Sequence, residues 1–244
     1  MDSILKEPSA ARVYSELYPN GAPRNMMTPS GWGGYGMAFF GGVGGTYPQV
    51  YSHKPDMGVS AGFCVGNPVK AVNLAIGANM FDVHKFRDFS ANIILSRKIF
   101  KGSSISVGGL GLFYNASQTD APAATYYVSF SHAVQTVSSK TPGASALSYT
   151  IGIGNGRFLL KSPADIAAGR GAHGTAVFGG VSYELIKRTN LNVEWSGQNL
   201  GCSLGLRPFR SLLSVGIGVD NLTRYTADKP SLLLSLGYPL SLTR

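Results

Sequence analysis

The chain has 244 residues, of which 14% are charged, and a formal net charge of +9. Charge this sparse, against roughly one quarter in an ordinary soluble domain, is too little to cover a water-facing surface. Mean hydropathy is near neutral at +0.07, and no uninterrupted apolar run reaches the roughly 18 residues of a helical span. A membrane protein of this composition must therefore cross with strands closed into a barrel, which satisfies every backbone group internally.

Residues 1–30 read as an N-terminal extension to a barrel over 31–244. The opening MDSILKEPSAARVYSELYPNG has no apolar stretch long enough for a secretory leader. That fits a mature or recloned bacterial chain, or an organelle barrel imported without a cleaved leader. SAARVYSELY, 9–18, has the spacing of a short helix, with Val13 and Leu17 on one face. Three placements suit such a segment: a plug in the lumen, an arm in the periplasm, or a dock for a protein partner.

Beyond it, alternation predicts twelve strands, at 32–47, 57–66, 72–80, 86–100, 103–115, 124–136, 147–154, 174–187, 191–198, 202–209, 212–222 and 230–242. The last is the plainest. Leu232, Leu234, Leu236, Tyr238, Leu240 and Leu242 alternate with Ser231, Leu233, Ser235, Gly237, Pro239 and Ser241. Bulky apolar residues on one side and small, nearly neutral ones on the other are what a strand shows between lipid and a narrow polar lumen. In 103–115 the phase slips at Gly108-Gly109, which predicts a β-bulge. The fold class is thus all-β: an antiparallel up-and-down transmembrane barrel of about 12 strands.

Tight turns at 67–70, 101–103, 187–190 and 207–211 alternate with longer connections, the outer-membrane pattern. Ser138–Ala146 breaks it, being long on the short-turn side. Lys70, Arg97, Lys98, Lys101, Lys140, Lys187, Arg188 and Arg210 all fall at the short-turn end with almost no acid beside them. This predicts a cationic ring on anionic lipid headgroups. Without interleaved stacking aromatics, nucleic acid is not the expected partner. Tyr35, Tyr47, Phe81, Phe86, Tyr114, Tyr126, Tyr183, Trp195, Phe209 and Tyr238 lie mostly near strand ends, as interfacial girdles do.

Catalytic signals are thin. The glycine runs do not precede helices and so are not phosphate loops. Cys64 and Cys202 read as two small strand residues, and no spacing suggests a metal or other cofactor. The histidines His53, His84, His132 and His173 are scattered. His132 shares the apolar phase of Val128, Phe130 and Val134, away from any lumenal nucleophile. Outer-membrane phospholipases and acyltransferases pair a histidine with a serine on the barrel wall, but no such cluster is legible, so no enzyme is expected. On the lumenal phase stand Lys98, Glu184, Glu194 and Arg207, as ion pairs between strands or as the lining of a constriction.

Over 31–242 the chain resembles a Gram-negative outer-membrane β-barrel. NLNVEWSGQNLGCSLGLRPF followed by SVGIGVDNLT is similar in style to the YjbH-type barrels associated with exopolysaccharide export. The end, Leu240-Ser241-Leu242-Thr243-Arg244, lacks the terminal aromatic of most bacterial barrels, and Ser235–Leu242 fits the insertion signal of mitochondrial ones. The resemblance implies an outer membrane, bacterial or organellar. The function expected is a narrow passive channel for ions or small solutes, with a non-conducting subunit of a secretion or polysaccharide-export assembly as the alternative.

Overall fold

The computed structural model describes residues 16–49, 55–83, 85–118, 123–208, 211–223, 226 and 228–242. Twelve antiparallel strands close on themselves: β2 (Ala38–Tyr47), β3 (Asp56–Gly66), β4 (Asn73–Asp82), β5 (Arg87–Phe100), β6 (Ser103–Leu112), β7 (Thr125–Ala133), β9 (Leu147–Gly154), β10 (Val177–Ile186), β11 (Thr189–Trp195), β12 (Leu200–Leu206), β13 (Ser214–Asp220) and β14 (Ser231–Ser241). Neighbours in sequence are neighbours in the wall, and β14 returns to β2 over ten paired positions, from Leu232↔Tyr47 to Ser241↔Ala38. The two remaining strands, β1 (Tyr18–Pro19) and β8 (Ala144–Ser145), form a small parallel sheet separate from the barrel's ladder.

Each pleat sends successive side chains to opposite faces, and burial follows the sequence phase. Leu234 is 51% exposed and Leu240 54%, whereas Ser231 is 3% exposed. The leucine stripe is the outer, lipid-facing wall. Pro239, which has no N–H to give a ladder, pairs with Phe40 on one side and lies past the last β13 partner of β14, Gly237↔Ser214, on the other. The predicted bulge is present slightly downstream: Ile93 faces Gly109 but Ala91 faces Leu112, with Gly111 at φ 61 absorbing the extra residue.

Tight turns at 101–102 and 187–188 lie at the same rim as Ala38 and Ser241, here the turn rim. The opposite loop rim carries the connection between β9 and β10, with a 3-10 turn (Gly156–Phe158) and the five-residue helix α1 (Pro163–Ala167) capped by Ser162. Phe158 from this connection is fully buried against Phe178, 4.2 Å between ring centroids.

Two boundaries differ from the sequence reading. The first strand begins at Ala38 rather than at 32, because residues 30–36 bond to side chains and backbone of other strands rather than to a ladder. The anomalous connection at 138–146 is long because it contains β8, which takes the edge of β1.

Candidate functional site

The inner wall is lined by small polar residues, and against it lies the segment 16–36. At the turn rim Glu16 accepts the Gly102 N–H at 2.6 Å and is paired with Lys98, while Tyr18 N–H donates to Gly143 O at 3.1 Å. Next, Asn20 and Asn190 exchange side-chain hydrogen bonds of 2.7 and 3.0 Å, and Asn20 Nδ2 also donates to Glu184 Oε1 at 3.0 Å.

The segment then reaches Glu194 on β11. Its carboxylate, 1% exposed, accepts the N–H groups of Met26 (2.8 Å), Met27 (3.1 Å) and Thr28 (3.0 Å) and the Thr28 hydroxyl (2.7 Å). Successive N–H groups around one carboxylate form an anion nest, and bonds to a charged acceptor are the stronger kind. A buried carboxylate without a bonded cation is tolerable only because four donors replace its hydration.

From there the chain turns back. Gly31 N–H donates to Ser131 Oγ at 2.8 Å, Ser106 Oγ donates to the Ser30 carbonyl at 2.8 Å, and Gly36 N–H meets Gly66 O at 2.9 Å, where the chain joins β2. From the loop side, Arg157 Nη2 donates to Met27 O at 3.2 Å. Small inner-wall residues are what make room. A Cβ on Gly201 would stand 2.1 Å from Met27 Sδ, and one on Gly205 1.9 Å from the Pro23 carbonyl oxygen.

Three of the four lumenal charges read from the sequence therefore bond to this one segment: Lys98, Glu184 and Glu194. They neither pair with one another across strands nor stand free at a constriction. Glu184 also accepts the N–H groups of Lys140 and Arg188, both at 2.9 Å. Arg207 sits at the turn rim, its Nε donating to Ser211 O at 3.2 Å. Of the basic set, Lys70, Arg97, Lys101 and Lys187 are exposed and Arg188 is half-buried; Arg210 lies outside the described residues. So do His53 and His84. Cys64 and Cys202 are free thiols. No cluster of metal-ligating side chains occurs among the described residues.

A second arrangement lies outside. Ser103 and His132 are direct cross-strand partners of β6 and β7, and Ser103 Oγ stands 2.7 Å from His132 Nδ1. Both are on the outward phase at the turn-rim end, and Tyr149 packs beside His132 with 5.4 Å between centroids. The sequence reading missed the pair because it sought a nucleophile in the lumen. Among the described residues no acid or amide is bonded to the other ring nitrogen, and Ser103 is 4% exposed.

No family model and no curated protein matches the chain. Solved structures do. Outer membrane phospholipase A from Escherichia coli is similar over 85% of this chain and 97% of its own, at 8% identity and TM-score 0.41. The Salmonella typhi outer membrane phospholipase, a dimer with bound calcium, is similar over 91% and 95%, at 9% identity and TM-score 0.42. The YjbH-type link finds no support among these matches.

Two expectations are corrected. The porin-like passive channel is overturned: the inner wall holds the chain's own segment, seated on Glu184 and Glu194. The exclusion of an enzyme falls as well, since a serine–histidine pair does stand on the wall. At such identities the likeness is one of frame, and what the chain shares with these proteins is the closed antiparallel barrel of the outer membrane.

Proposed function

We propose that this protein is an outer-membrane barrel closed to solute by its own N-terminal segment, doing its work at its lipid-facing wall and its rims. The Glu194 carboxylate with its four bonds from Met26, Met27 and Thr28 carries this reading. Such a latch gives residues 16–36 one defined seat, and the Asn20–Asn190 exchange and the Glu16–Lys98 pair add two more along the same path. The exposed Lys70, Arg97, Lys101 and Lys187 would meet anionic headgroups at the turn rim. The test is a cross-link. With Cys64 and Cys202 changed to serine, the double variant Ser30→Cys, Ser131→Cys, at positions whose hydroxyl oxygens stand 3.4 Å apart, leaves the Glu194 latch intact and should form an intramolecular disulfide in native membranes. Failure to form it under mild oxidant would remove the reading.

A second reading is favoured by Ser103 and His132. A serine whose hydroxyl is bonded to an imidazole can give up its proton on attacking an ester carbonyl, and the outward phase directs such chemistry at membrane lipid. Because Ser103 is 4% exposed, the turn at Gly102 has to open before a substrate can reach it. Release of fatty acid from phospholipid vesicles, abolished in Ser103→Ala, is the expected result; no release above that variant ends this reading.

A further inference from the structure

The segment 16–36 does not occupy the whole lumen. It bonds mostly to β6, β7, β9, β10 and β11, with Lys98 of β5 and Gly66 of β3 toward the turn rim, and a cavity of about 640 Å³ lies between Met26 and β2, β3 and β14. A second, of about 760 Å³, shares Met26, Asn79, Phe81 and Leu233 with the first and continues to the loop rim. Together they make a cup with the N-terminal segment as part of its wall, its inner end by Phe40, Ser214 and Pro239 toward the turn rim and its other end at the loop rim.

The glycines on the two sides of the lumen differ in what surrounds them. At Gly201 and Gly205 the missing side chain is replaced by Met27 and Pro23 of the segment. At Gly42 and Gly44, also on the inner phase, the nearest atoms to a Cβ all belong to the wall itself, Leu236 O at 2.8 Å and Leu234 O at 3.2 Å first. Here no other part of the described chain takes the space that the glycines leave.

The lining has a definite chemistry. Phe81 lies on the inner phase, its ring 2.8 Å from where a Gly58 Cβ would be, and it is 42% exposed, so a large aromatic face opens into the cup. Ser60 and Ser235 also line it, and among the described residues neither hydroxyl has a hydrogen-bond partner. Asn79 adds an amide, linked to Ser90 at 3.3 Å and Asn92 at 3.2 Å. Asp56 adds a carboxylate where the two cavities meet, and Asp82, Arg87 and Asp228 are among the charged groups of the outer one. A hollow of this size lies within the range of small-molecule sites, roughly 300–1,000 Å³, which join apolar faces to a few placed polar groups.

We infer that the cup is a binding site for a neutral, hydroxyl-rich ring compound of saccharide type entering from the loop rim. The ring lies on the Phe81 face, and its hydroxyls bond to Ser60, Asn79 and Ser235. An anionic ligand would stand against the Asp56 carboxylate of this inner lining. The site rests on the segment being seated as proposed above, since Met26 forms part of its wall.

Equilibrium dialysis of radiolabelled maltose against the full chain, held in a detergent without a sugar headgroup, tests the site. Saturable binding is expected, weakened at least about tenfold by Ser60→Phe, by Ser235→Phe and by Phe81→Ala, and unchanged by Val43→Phe on the outer wall. Absence of saturable binding, or binding indifferent to all three inner variants, overturns the inference. Heat-modifiable migration confirms that each variant is folded. Failure of the Ser30–Ser131 cross-link with maltose still bound would strike the closed-barrel reading, whereas a good cross-link without maltose binding would strike only this one.

Discussion

Glu194 and Thr28 stand 166 positions apart and are joined twice, the Thr28 N–H and hydroxyl both donating to Glu194 Oε2, at 3.0 and 2.7 Å. With Met26 and Met27 they make one carboxylate the anchor of a segment that no strand ladder joins to the barrel wall. Glu194→Leu leaves three buried N–H groups and a hydroxyl without acceptors, each costing about 1–3 kcal/mol. The segment should detach while the wall persists, and trypsin should then cut at Arg24 far faster than in the parent. Glu194→Gln keeps one acceptor oxygen and should give an intermediate rate.

Glycine substitutions separate the segment from the wall. Gly205→Val places a side chain where the Pro23 carbonyl is, 1.9 Å from its Cβ. It should expel the neighbouring residues at a cost of about 1–3 kcal/mol, the usual range for overpacking. Gly41→Ala meets nothing nearer than Ser60 O at 3.6 Å and should be neutral. Urea unfolding in lipid vesicles, followed by intrinsic fluorescence, compares the two.

The turn-rim latch should weaken in acid. Burial alone would raise the Glu16 carboxyl, but its bonds from Lys98, the Gly102 N–H and Tyr18 outweigh that and hold it below its ordinary value of 4.5. A carboxylate whose folded value is depressed contributes stability that is full above the unfolded value and is lost as pH falls through the folded one. Proteolysis near residue 16 should thus be flat from pH 8 to 5 and rise below 4.5; Glu16→Gln should abolish the rise.

The lipid belt has its own test. Leu236, 47% exposed near the middle of β14, faces the bilayer. Leu236→Arg should cost about 2–4 kcal/mol of folding into vesicles, the range for a midplane charge on the lipid face. A shift under 0.5 kcal/mol, about the limit for an ordinary surface position, would place this wall outside the membrane.

How far the sequence reaches differs by link of the chain. Alternation in 230–242 and 212–222 is a local property, so lipid and lumen faces were legible there residue by residue. The start of the first strand was not, because 32–37 has strand-like composition but bonds through Gly36 to Gly66 and Asn73, which no local pattern announces. The lumenal carboxylates Glu184 and Glu194 were located on the right phase but not with the right partners. Their donors are largely backbone N–H groups, which every residue has, so composition carries no trace of them. The one available hint was steric: a lumen lined by glycine and serine has space to fill. His132 was placed on the correct face, and its neighbour Ser103 was missed because cross-strand register depends on turn length.

Single-channel conductance in a planar bilayer bears most directly on the closed barrel, comparing the full chain with one lacking residues 1–30. The account predicts no steps from the full chain and well-defined steps from the truncated one, since the bonds to Glu184 and Glu194 go with those residues. Steady steps from the full chain, equal to those of the truncated one, would contradict it.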